Sequence, residues 1–183
     1  MSERLIDYLA TQFPGQPIRA VGLTHFHDDH AGGARAFAAA GATIYAPGQS
    51  TSFLNKALNR LSMPDDRFDQ RGGRITVSPV TDSVVIGSAP NRVKLVSMGH
   101  SPHVDAQLGV WALDKDYFFV SDVHVPRSDA SSPRTHRAAT ECWFAAWAAS
   151  NLPNDVRVVN SHSEVSTPVA RLAEYLESDP CRK

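Results

Sequence analysis

Long apolar runs are missing from this sequence: nothing approaches the ~20 consecutive apolar residues needed to span a bilayer. The start, Met-Ser-Glu-Arg-Leu-Ile-Asp-Tyr, lacks the uninterrupted apolar stretch of a secretion signal. Charge of one sign is missing too. Eighteen Lys and Arg stand against 19 Asp and Glu, a net charge of −1 over 183 residues, which offers no basic surface for nucleic acid or for an anionic membrane. Cysteine is scarce. Cys142 and Cys181 lie far apart and make no CxxC pair, so no disulfide framework is expected and a reducing, cytoplasmic setting suits the chain. Neither repeats nor low-complexity tracts break it up. What remains is one domain over residues 1–183, long enough to bury a core.

Histidine is the residue in excess, with eight copies. Three fall in Thr24-His25-Phe26-His27-Asp28-Asp29-His30, after an apolar run and before Gly32-Gly33. Imidazole and carboxylate are what a borderline divalent ion such as zinc accepts. In extended backbone, residues two apart point the same way, so His25 and His27 can converge on one ion. As the chain turns into a helix, Asp29 and His30 point elsewhere and can serve a second. A polar surface loop is the plain alternative, but such ligand density is costly to leave unpaired.

Helical spacing places a helix over 2–13, with Leu5, Ile6, Leu9 and Phe13 apolar behind a Ser cap, ended by Pro14-Gly15. Residues 18–23 read as a buried strand that delivers Thr24-His25 at its C-terminal end, where ligands collect in α/β sheets. A helix over 30–40 follows, its Gly32-Gly33 start allowing close backbone approach to whatever His25 and His27 hold. Then come a strand over 43–45, an amphipathic helix over 49–61, and a polar loop over 62–73. Strands over 75–80, 83–86, 93–96, 107–113 and 117–120 form a meander, with Asp114-Lys115-Asp116 as a hairpin-like turn. A Pro- and Ser-rich loop over 125–133 reads as a lid. A helix over 137–150, a strand over 156–159, and a last helix opened by Thr167-Pro168 complete the chain.

Three further groups follow predicted strands: His100-Ser101-Pro102-His103-Val104-Asp105, Ser121-Asp122, and Asn160-Ser161-His162. One His after a strand is commonly a hydrogen-bonded loop residue. Repetition at strand after strand is what a site assembled at one edge of a sheet core requires.

With these residues in view, the sequence resembles the metallo-β-lactamase superfamily. Its HxHxDH motif stands as His25-Phe26-His27-Asp28-Asp29-His30, and its later landmarks run in order to His162. The resemblance implies an α/β fold (α+β by some schemes), a four-layer αββα sandwich, here apparently shortened at the N-terminus, with one or two zinc ions at the sheet edges. It implies that His25, His27 and a middle His bind one ion, that Asp29, His30 and His162 bind the other, and that Asp122 bridges. Such a pair activates a hydroxide at near-neutral pH, with Asp29 orienting it and relaying a proton. His103 is favoured as the middle ligand over His100, which becomes an outer hydrogen-bond partner or pocket residue.

The remaining chemistry-bearing residues fit no landmark. His124 and His136 read as surface residues, Arg134 and Arg137 as solvated arginines rather than clamps on a substrate carboxylate. Trp111, Trp143 and Trp147 read as core. Only 24 residues precede His25, fewer than the family's usual leading strands need, and a second copy would close the sheet edge left uncovered. That points to a homodimer.

A zinc-dependent hydrolase cleaving an ester, lactone, thioester or amide bond of a small molecule is the expected function. A non-catalytic metal-binding module, a phosphodiesterase-type member and a redox-active iron protein are the alternatives. The charge argues against nuclease branches, and the short stretch after His162 against the acyl-glutathione hydrolase branch.

Overall fold

The computed structural model describes residues 2–60, 67–126, 133 and 135–182. It divides into two units, Met1–Thr81 and Asp82–Lys183, each built on its own sheet.

The first unit runs α1 (Ser2–Gln12), β1 (Ala20–Gly22), α2 (Asp28–Ala31), α3 (Ala34–Ala39), β2 (Thr43–Pro47), α4 (Thr51–Arg60), α5 (Arg67–Arg71) and β3 (Val77–Val80). Its three strands are all parallel, in the order β1-β2-β3. Parallel strands need crossovers, and helices supply them here. Leu23, Ala34, Ile44, Leu54, Leu58, Phe68 and Val77 close the core. Ile6 is the buried residue of α1, whereas Leu5 and Phe13, expected on the same apolar face, are exposed.

The helix expected over 30–40 is two helices broken at Gly32-Gly33. A Cβ on Gly32 would sit 2.4 Å from Asp28 O, and one on Gly33 would sit 1.8 Å from Ser2 Oγ. The glycine pair therefore lets the turn after His27 tighten and α1 come close. Within the loop expected over 62–73, α5 forms because buried Arg35 anchors it. Arg35 donates to Asp69 Oδ1 at 2.6 Å and to Leu58 O at 2.5 Å, and its guanidinium lies 5.2 Å from the Phe68 ring centroid. The rest of that predicted loop, 62–66, lies outside the described residues.

The second unit runs β4 (Ser83–Ile86), β5 (Val93–Gly99), β6 (Gln107–Ala112), β7 (Tyr117–Phe119), α6 (Ala138–Asn151), β8 (Arg157–Val159), β9 (Thr167–Pro168) and α7 (Val169–Tyr175). Its six strands lie in sequence order, antiparallel except for the β7–β8 pair, which is parallel. Phe118, Phe144, Ala148, Val158, Leu172 and Tyr175 form its core, with Trp111, Trp143 and Trp147 packed against it from half-buried positions. Gly109 is obligatory: an added Cβ would lie 2.2 Å from Phe118 Cζ. Thr167, expected to cap the last helix, is a strand residue, and Pro168 takes the cap position without a side-chain bond.

Cys142 on α6 and Cys181 beyond α7 are disulfide-bonded, with Cα atoms 5.5 Å apart. This corrects the expectation from their spacing in the chain. Sequence separation does not measure distance once α6 and α7 pack together. Among the described residues, no helix is long and apolar enough to cross a membrane.

Candidate metal centre

In the first unit β1 ends at Gly22, and the next residues turn the motif out of the sheet. His25 is fully buried. Its Nδ1 shares a hydrogen bond with the buried hydroxyl of Thr24 at 3.1 Å, which leaves Nε2 facing His27 Nδ1 at 3.0 Å. Nitrogen against nitrogen at this distance is served by one proton or one cation between the rings. The His30 ring lies over that of His25, centroids 4.2 Å apart, and its Nε2 is 3.2 Å from Asp29 Oδ2. Four of the predicted ligands are thus gathered by seven consecutive residues. The ligand pattern alone does not single out Thr24. Its signal was local: a hydroxyl placed directly before a buried His can set the ring's tautomer.

In the second unit the carboxylate of Asp122 is held between two imidazoles. His103 Nε2 lies 3.1 Å from Oδ2, and His162 Nε2 lies 2.5 Å from Oδ1. Strand register produces this meeting. Phe119 pairs with Val159 across the parallel β7–β8 ladder, and Asp122 and His162 each stand three residues further on. In the antiparallel β6–β7 ladder Val110 pairs with Phe119, so the loop that enters β6, carrying His103, runs to the same end. A register shift at the end of β5, where Gly99 has φ +75°, turns the chain into that loop.

Two side chains fix the backbone at His103 and His162 by one device. Buried Ser101 Oγ accepts from His103 N at 3.2 Å and from Val104 N at 3.0 Å, while Asn160 Oδ1 accepts from His162 N at 2.8 Å. A short polar side chain two residues before a His is the readable sign of such a turn. His100 stands apart, exposed, 3.5 Å from the equally exposed Asp105. Of the two candidates for the middle position, His103 is the one beside Asp122.

His124 and Arg137 correct the surface assignments. His124 is fully buried, with Nε2 3.1 Å from Thr167 Oγ1 and its ring stacked on Phe144. Burial pushes its pKa down to about 3, with the nearby Arg137 charge acting in the same direction, so the ring is neutral at ordinary pH. Arg137 is half-buried, donates to the backbone oxygen of Asp122, and lies 3.9 Å from the fully buried carboxylate of Glu141. It holds the Asp122 turn from behind. His136 is exposed, as expected. Arg134 and residues 127–132 of the expected lid lie outside the described residues.

Imidazole nitrogens and carboxylate oxygens are donors that a divalent metal ion accepts, and here they have outer partners in place on Thr24, Ser101 and Asn160. Comparison with known proteins agrees on the fold. A metallo-beta-lactamase from Pontibacter korlensis superposes with a TM-score of 0.65 at 20% identity, covering 96% of this chain and 74% of that one. The B3 metallo-beta-lactamase BLEG-1 gives 0.61 at 18% identity, covering 98% and 83%. No curated protein matches the sequence. The family profile described as the metallo-beta-lactamase superfamily matches residues 1–162, and the chain, with the fold of that superfamily and both halves of its ligand pattern, belongs to it.

Proposed function

We propose that the chain is a zinc-dependent hydrolase that cleaves an ester, lactone, thioester or amide bond of a small molecule. In this reading the two units act as one domain. His25, His27 and His103 would hold one ion, Asp29, His30 and His162 would hold a second, and Asp122 would serve both. Asp122 carries the proposal: each of its oxygens already faces an imidazole Nε2, the disposition of a carboxylate shared between two ions. Family membership, through a match that runs across both units, supports combining the half-sets.

A zinc ion held by these residues would supply a water of pKa ~7 and a Lewis acid for the oxygen of the bond to be cleaved. The protein's part is orientation and proton transfer. Thr24 fixes the His25 ring, Ser101 and Asn160 fix the turns that present His103 and His162, and Arg137 steadies the Asp122 turn. Asp29, exposed and beside His30, is the carboxylate suited to take a proton from the attacking water and return it to the leaving group.

Metal analysis together with a panel of lactones, p-nitrophenyl esters, thioesters, β-lactams and phosphodiesters tests the reading. Two zinc ions per chain and turnover of at least one acyl substrate, lost in His27→Ala, are expected. A zinc-loaded protein that turns over none of the panel, or does so equally well as His27→Ala, would refute it.

A further inference from the structure

Side chains on either side of Asp122 reach across to side chains on either side of His162. Ser121 Oγ lies 3.3 Å from Ser161 Oγ, which joins the residues directly before the two. Two residues past Asp122, His124 Nε2 lies 3.1 Å from the hydroxyl of Thr167, five residues past His162. Thr167 is itself fixed to the sheet, opposite Val158 in the antiparallel β8–β9 ladder. The turn that carries His162 is therefore bridged at both of its ends.

The strand ladder does not reach this far. Its last backbone bond between β7 and β8 runs from Val120 N to Val159 O at 2.9 Å, and past it each chain enters its own turn. Packing does not ask for an imidazole at position 124 either. The ring is fully buried against Phe144 and Tyr175, where an apolar ring would fit, and its Nδ1 has no partner among the described residues. Burying such a ring is costly unless a hydrogen bond offsets it. Here that bond is the one to Thr167, which is fully buried too.

We propose that Ser121–Ser161 and His124–Thr167 form a clasp that fixes Asp122 against His162, and so sets how tightly a metal ion shared by those two residues would be held. The proposal rests on the metal reading above and adds positioning residues to it. His124 and Thr167 act through Asp122 and His162 and are not themselves ligands.

Zinc titration of the full metal-free chain by calorimetry tests the clasp. Thr167→Val keeps the shape and loses the hydroxyl; Thr167→Ser keeps the hydroxyl and loses the buried methyl. The valine variant should bind zinc about tenfold more weakly, the scale of one buried hydrogen bond, and the serine variant should bind as the parent does. A role in packing alone predicts the opposite order. Ser161→Ala, at an exposed position with little bearing on folding, should weaken binding about threefold. Parental affinity in Thr167→Val or in Ser161→Ala would overturn the clasp, as would a loss in Thr167→Ser equal to that in Thr167→Val. A parent chain that takes up no zinc would overturn the metal reading along with it.

Discussion

Replacing both Cys142 and Cys181 by serine tests how the second unit is held together. The bridge joins residues 39 apart. In the chain-entropy account, closing a loop of that length removes ~13 cal/mol/K from the unfolded ensemble, or ~4 kcal/mol at 25 °C. Both cysteines are half-buried and Cys181 packs on the core that α6 and α7 share, so the serines leave packing nearly intact and most of the loss is that entropy. For a chain of this size the loss corresponds to a fall of ~8–16 °C in the thermal midpoint. Urea unfolding followed by far-ultraviolet circular dichroism, with and without reductant, measures it; thiol titration of the denatured protein checks the bond. Two free thiols in protein purified without reductant would refute the assignment. A loss below ~1 kcal/mol with the bond intact in the parent would refute the loop-closure reasoning. The outcome also bears on location. Such bonds persist in oxidising compartments and are rare in the cytosol, so an intact bridge weighs against the cytoplasmic setting that cysteine scarcity suggested.

The other predictions concern single residues. Gly109→Ala should destabilise by about 3 kcal/mol, because its methyl would overlap a fully buried Phe118 ring with no room to move; a midpoint unchanged in urea would show that the ring can yield. His103→Ala should lower bound zinc while His100→Ala leaves it unchanged, and elemental analysis showing the reverse would exchange their roles. Hydrogen bonds from Arg92 hold the Asp114 carboxyl below the ordinary carboxylate range. The stability this pair adds is therefore complete above about pH 4 and lost as pH falls through the lowered value. Arg92→Ala should return the Asp114 titration, followed by carboxyl carbon chemical shifts, to the ordinary range.

The first motif was legible because its information is local: apolar run, ligands, glycine pair. So were the strand ends that carry Asp122 and His162, since apolar runs of this length mark strands whatever they pair with. Burial of His124 was not legible. A histidine two residues past Asp122 has the same composition around it whether the chain turns inward or outward, and only packing on Phe144 and Thr167 decides. Arg137 was misread for the same reason, because its acceptors, the Asp122 carbonyl and Glu141, become neighbours only after α6 docks. The short helix α5 depends on Arg35, a residue 34 positions from Asp69, and no local propensity encodes such a tether. The break at Gly32-Gly33 was half visible: glycine marks a close approach in the sequence, but that α1 is among the elements approaching shows only once the chain is packed.

The parallel ladder between β7 and β8 has a consequence for how this protein can change. With Phe119 opposite Val159, an equal count of three residues carries the chain to Asp122 and to His162. Inserting one residue before either would upset the equal count and separate the pair. Inserting many residues after either alters nothing in the count. The meeting of Asp122 and His162 is thus set by the strand register and by the two equal counts that follow it. The sheet works as a ruler with a fixed end, measuring out where the carboxylate and the imidazole come to stand.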